Sequence, residues 1–115
     1  MSDSEGSFQD DKDLLQAVRA RPGMYGLDGT YYPTVTFLIG YDFGRSGRLL
    51  RGFDEWLVAR RGEETSLDWG ALVLEDAFPG SEIRHWSQLT EGQQRRSVDH
   101  LFTLLLAFLS ERGAA

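Results

Sequence analysis

The stretch Tyr-Tyr-Pro-Thr-Val-Thr-Phe-Leu-Ile-Gly-Tyr-Asp-Phe-Gly, residues 31–44, decides the fold. Its β-branched and aromatic residues suit a strand. Yet Val35, Leu38, Ile39 and the Tyr41–Asp42 pair recur closer to helical spacing, and Thr30 followed by Pro33 suits a helix start. The spacing predicts a helix, and with it an all-α chain. Should residues 34–41 form a strand, the chain is α+β instead. Gly40 inside a helix costs about 1 kcal/mol against alanine, so its use there predicts a close neighbour.

Upstream, residues 1–9 are polar and acidic, and are predicted to be a flexible N-terminus. Asp10 or Asp11 is placed to cap a helix whose Leu14, Leu15 and Val18 make one apolar stripe. Arg19 and Arg21 close it, where cations suit the helix dipole. Pro22 stops it, and Pro22–Gly23 has the chemistry of a type II turn with positive φ at Gly23. Met24 and Tyr25 then lay an apolar patch back on the fold.

Downstream, residues 47–61 read as a helix with Leu49, Leu50, Phe53, Trp56 and Leu57 on one face, ended by Gly62. Thr65 or Ser66 caps the next, with Asp68 in its first turn and Trp69, Leu72, Val73 and Ala77 inward. Phe78-Pro79-Gly80 breaks it. Residues 81–89 are irregular, with a short helical turn around Trp86. Thr90 and Gln93 form a capping box for the last helix, whose Val98, Leu101, Phe102, Leu105, Phe108 and Leu109 face the core, with Gly113 just past its end. The reading is a compact bundle of about five helices, one domain over residues 10–113.

The chain has 115 residues and no cysteine, which excludes disulfides, thiolate metal sites and a cysteine nucleophile. Its longest apolar run, Leu-Leu-Leu-Ala-Phe-Leu at 104–109, is too short to cross a bilayer, and the acidic start is not a signal peptide. These features predict a soluble, cytoplasmic protein. The net charge is −6, and residues 62–82 hold six acids and no base. Such a surface repels phosphate backbones and attracts basic proteins.

Sites of chemistry are scarce. The two histidines, His85 and His100, lie in different segments and form no metal-ligand spacing, so no metal and no cofactor is expected. Ser97 and His100 are one helical turn apart, on what reads as the solvated side of the last helix. Gly-Leu-Asp-Gly-Thr at 26–30 reads as a turn and not a nucleotide loop. Arg45, Arg48, Arg51, Arg60 and Arg61 make one basic patch, offset by Asp54, Glu55 and the acidic loop that follows. The chain therefore reads as non-enzymatic. Protein recognition remains, with Glu63, Glu64, Asp68, Glu75, Asp76 and Glu82 as an acidic surface and Tyr31 and Tyr32 as exposed aromatic anchors.

The run Ala-Val-Arg-Ala-Arg-Pro-Gly-Met-Tyr-Gly at 17–26 resembles one in gyrase-type ATPases. Their next helix carries a glutamate that activates water and an asparagine that helps hold magnesium. Residues 31–44 have neither, the chain contains no asparagine, and no glycine-rich lid follows. ATP hydrolysis is rejected on that ground.

A second resemblance spans most of the chain. It is similar to small bacterial proteins that open with an RPGMY-type turn, here Arg21, Pro22, Gly23, Met24 and Tyr25. They continue with a helix ending in Gly-Tyr, here Gly40 and Tyr41. An F-x-x-W helix (Phe53, Trp56), a tryptophan-bearing helix (Trp69) and an apolar C-terminal helix follow. Gly26–Leu27 departs from their usual aliphatic-then-glycine order. Such proteins are identified as immunity proteins of toxin systems. The resemblance implies a helical inhibitor that covers the active site of a cognate toxin or an adjoining surface, and the acidic surface makes a basic toxin domain the expected partner. It carries over no contact residue. The alternatives are a small regulatory module that binds another protein or pairs with itself, and, behind it, a nucleic-acid binder using the arginines.

Overall fold

Residues 31–44 are helical, and the chain is all-α. The computed structural model describes residues 3–114, with side chains described within 10–113. The helices are α1 (Asp3–Ala20), α2 (Tyr31–Gly44), α3 (Phe53–Arg61), α4 (Trp69–Ala77) and α5 (Glu91–Ala114). Short 3-10 turns occupy Pro22–Tyr25 and Trp86–Gln88, and no strand occurs among the described residues. The Cα atoms span 47 × 35 × 19 Å, a slab about two helices thick. Each of α1, α2, α3 and α4 packs on α5. The core runs along it through Leu101, Phe102, Leu104, Leu105, Phe108 and Leu109.

Thr90 and Gln93 start α5 as a capping box, each side chain bonded to the other's backbone N–H. Gly113 does not end it; α5 continues to Ala114. An aromatic cluster joins α3 and α4 to its far end. The Phe53 ring lies 6.1 Å from Trp56, 5.8 Å from Trp69 and 5.3 Å from Phe108, centroid to centroid. The tryptophans and phenylalanine that carry the resemblance thus meet in one core contact.

The first helix starts earlier than its sequence suggests, at Asp3. Asp11 is not its cap. It lies buried mid-helix, accepts a 2.6 Å hydrogen bond from Tyr41 Oη and faces Arg45 Nε at 3.3 Å. A carboxylate at that depth is held by its partners in α2 and the loop beyond. Met1, Ser2 and the side chains of residues 3–9 lie outside the described residues, while the backbone of residues 3–9, expected as part of a flexible end, belongs to α1.

Two other boundaries move, each for a backbone reason. The helix expected over 47–61 forms only from Phe53. Ser46, Gly47 and Gly52 have φ of 59°, 76° and 88°, which interrupt a right-handed helix. Asp42 organises this loop, its Oδ1 accepting from Leu50 N at 2.8 Å. Leu49 is buried from the loop and not from a helix face. Asp68, not Thr65 or Ser66, caps α4, accepting from Ala71 N at 2.9 Å.

The Arg21–Tyr25 segment is a 3-10 turn, not a type II turn. Met24 N donates to Arg21 O, Gly26 N to Gly23 O and Leu27 N to Pro22 O. Gly26 supplies the left-handed residue at φ 76°, while Gly23 does not. Pro22 fits because its fixed φ suits a first helical position. Tyr25 packs edge-on against Phe37, but Met24 points away and is exposed.

Gly40 has no close neighbour; a β-carbon there would meet nothing within 4 Å. Gly40→Ala should therefore stabilise the fold by about 0.5–1 kcal/mol, through helix propensity and the unfolded chain. Gly52→Ala should destabilise it by about 1–2 kcal/mol, because alanine resists the left-handed angle. Urea midpoints of the two variants should move in opposite directions.

Candidate functional site

The residues expected to face a partner divide into two groups. Tyr31 is not an exposed anchor. It is 3% exposed, its Oη donates to Gly70 O at 2.7 Å, and its backbone N–H donates to Gln94 Oε1 at 2.8 Å. It pins α2 to α4 and α5. Tyr32, one residue on, is half exposed and lies against Trp86, with ring centroids 4.8 Å apart.

The acidic block is likewise split. Glu75 pairs with Arg61 and, at 3.3 Å, with Arg84. Asp76 holds Arg60 at 3.3 Å and His100 Nε2 at 2.6 Å. These pairs stitch α3, α4 and α5 together, so Glu75 and Asp76 are not an unopposed acidic surface. Glu63 lies 3.9 Å from Arg61, and Glu82 is exposed. Three arginines of the basic patch are spent in the same way. Arg60 and Arg61 serve α4, and Arg45 turns toward Asp11.

The acids that remain gather elsewhere. Asp54, Glu55, Glu64 and Asp68 line one cleft of about 410 Å³ and enter no ion pair among the described residues. Burial, and then the charges of Glu55 and Asp68, raise the Asp54 carboxyl above its ordinary range. No group of three or more His, Cys, Asp or Glu among the described residues is placed to hold a metal ion.

Ser97 and His100 do not form a surface pair. Ser97 is fully buried and its Oγ donates to Gln94 O at 2.8 Å, while His100 is held by Asp76. His85 caps the Trp86–Gln88 turn instead, its Nδ1 accepting from Ser87 N at 3.2 Å. No helix among the described residues is long and apolar enough to cross a membrane.

A surface that sequence reasoning passed over lies on α2. Tyr32, Thr36, Ile39 and Phe43 follow an i, i+4, i+7, i+11 spacing, within an arc of roughly 60° at 100° per residue. All four are exposed, Ile39 by 52% and Phe43 by 86%. The opposite side of α2 is buried through Tyr31, Thr34 and Leu38. Asp42 is the helix's one charged residue. A helix apolar on every side is normally covered on every side. Here one side is open, and beside Tyr32 it runs into a groove of about 480 Å³ that Trp86 also lines. The signal was present in the sequence as a second stripe, offset from the inward one.

No protein-family model, curated protein or solved structure matches this chain. The fold class is shown by the coordinates, and the site is read from geometry alone.

Burial, and then the hydrogen bond to Asp11, push the Tyr41 phenol up to about 12 from 10.0. Burial also raises Tyr31. The folded state favours both neutral phenols, so their contribution is complete below pH 10; the part from Tyr41 is lost as pH rises through about 12, and the part from Tyr31, more strongly raised, persists beyond it. The urea midpoint should fall across that window. The Tyr41→Phe chain, which has no such phenol, should fall less steeply, with phenolate absorbance following both.

Proposed function

We propose that this chain is a non-enzymatic, cytoplasmic binding protein of immunity type. It neutralises a bacterial toxin by covering a basic surface on it. The open apolar side of α2 carries the reading. Single exposed hydrophobic residues are ordinary, but an aligned row on one helix, joined to an exposed tryptophan, marks an interaction surface. Helix faces of this spacing dock into partner grooves through i, i+4 and i+7 anchors.

The partner's charge follows from the unpaired carboxylates. Asp54, Glu55, Glu64 and Asp68, with Glu63 beside them, supply a negative rim that steers a basic protein. Glu75 and Asp76 keep a supporting role, since their ion pairs fix the helices that carry the rim. The resemblance to RPGMY-type proteins agrees with this reading through core and turn residues.

Self-association is the second reading. The α2 row is apolar enough to pair with its own copy. Against it stands the net charge of −6, which sets two copies in mutual repulsion. Nucleic-acid binding draws less support, since Arg45, Arg60 and Arg61 already face carboxylates.

The test is protection. If a neighbouring gene encodes a toxin, wild-type protein co-expressed with that toxin should restore growth. Ile39→Asp and Phe43→Asp should each weaken toxin binding about 30-fold or more, with melting temperature unchanged. Absence of protection by the wild-type chain would sink the immunity reading. Full protection by both variants would remove α2 from it. A sedimentation series showing a stable dimer that Phe43→Asp dissolves would favour self-association.

A further inference from the structure

The groove beside Tyr32 has a chemistry distinct from the apolar row it joins. The Trp86 ring meets two others at a tilt, with centroids 4.8 Å from Tyr32 and 5.1 Å from His85, and 41% of the residue stays exposed. Val35, Ala71 and Leu74 add apolar lining. Asp68 lines the same groove and also the acidic cleft of Asp54, Glu55 and Glu64. Its Oδ1 is engaged by the α4 cap, and its Oδ2 accepts no hydrogen bond among the described residues.

Arg84 reaches this groove as well, but its charge is committed. It pairs with Glu75 at 3.3 Å and donates to Ser81 O and Ile83 O at 3.0 and 2.9 Å. The groove therefore offers aromatic faces and a spare carboxylate oxygen, with more carboxylates next door. Aromatic faces attract cations through their quadrupole, and tryptophan does so best. A guanidinium suits both parts, since it is planar, stacks on rings and bonds a carboxylate in its own plane. The four acids do not form a metal-holding group. A second copy of the chain would bring a second acidic cleft against the first.

We propose that the groove takes an arginine side chain of the partner protein, stacked on Trp86 and Tyr32 and bonded by Asp68. This rests on the binding reading above for the partner's existence and adds the residue by which it is recognised. The free volume of about 480 Å³ accommodates such a side chain with part of its own backbone. Burial, and after it the neighbouring Glu55 and Asp68, raise the Asp54 carboxyl in the adjoining cleft.

The groove can be tested without the partner. The full chain is titrated with N-acetylarginine amide, reading the Trp86 indole N–H by NMR. N-acetylcitrulline amide, the same shape without the charge, is the control. Arginine amide should give a saturable shift at Trp86, with the citrulline compound about fivefold weaker or more. Asp68→Asn keeps the helix cap while removing the charge, and should weaken binding by a similar factor. Trp86→Ala should do the same, and Glu111→Gln, an exposed charge on α5 outside the groove lining, should leave probe binding unchanged. No saturable shift at concentrations on the order of tens of millimolar overturns the proposal. Equal binding of the citrulline compound, or undiminished binding by both groove variants, overturns it too. Loss of toxin binding in Phe43→Asp together with a silent groove would leave the partner and remove its arginine.

Discussion

The fold depends on the broad apolar face that α5 presents. Leu101, Phe102, Leu104, Leu105, Phe108 and Leu109 cannot be hidden by a single neighbour. Each is worth roughly 1.5–3 kcal/mol when withdrawn from water. Covering them requires helices on several sides, and α1 to α4 supply the cover. The short helices α3 and α4 would be marginal alone, and are held by packing on α5 and by the aromatic cluster at Phe53. The ion pairs of Glu75 and Asp76 then fix their angle to one another.

What could be read from the chain follows from the range of each interaction. The helix over 31–44, the capping box at Thr90 and Gln93 and the stop at Gly62 are local, and local spacing finds them. The helix start at Phe53 was also local, since Gly47 and Gly52 were in view. Leu49 and Leu50 keep helical spacing and masked the interruption. Asp11 is different. An aspartate ahead of an apolar stripe looks like a cap, and only Tyr41 and Arg45, distant in sequence, make it a buried carboxylate. The acidic block misled for the same reason. Neighbours in sequence share a sign, but the arginines that neutralise Glu75 and Asp76 come from other segments. Tyr31 and Tyr32 are adjacent and look alike, and the helix turns one inward and the other outward.

The surface is thus two-sided in its electrostatics. Around Glu75 and Asp76 the charges are matched and the helices locked. Around Tyr32, Trp86 and Asp68 the apolar groups are open and the carboxylates unmatched. A protein selected only to fold has no reason to keep these incomplete groups together. Their clustering is what gives the binding reading its place on the molecule.

The hydrogen bond from Tyr31 to Gly70 has a mechanical meaning. It locates the start of α2 against the core, and Tyr32 inherits that location through one peptide bond. The outward row is therefore indexed to the interior, like a key blank clamped in a vice. The row is formed before any contact, so little freedom is lost in ordering it for the proposed binding. The same clamp makes the row intolerant of phase. One residue inserted after Tyr31 would leave the clamp and swing every later side chain of α2 by about 100°. Evolution can change which residues stand on that row far more easily than where the row points.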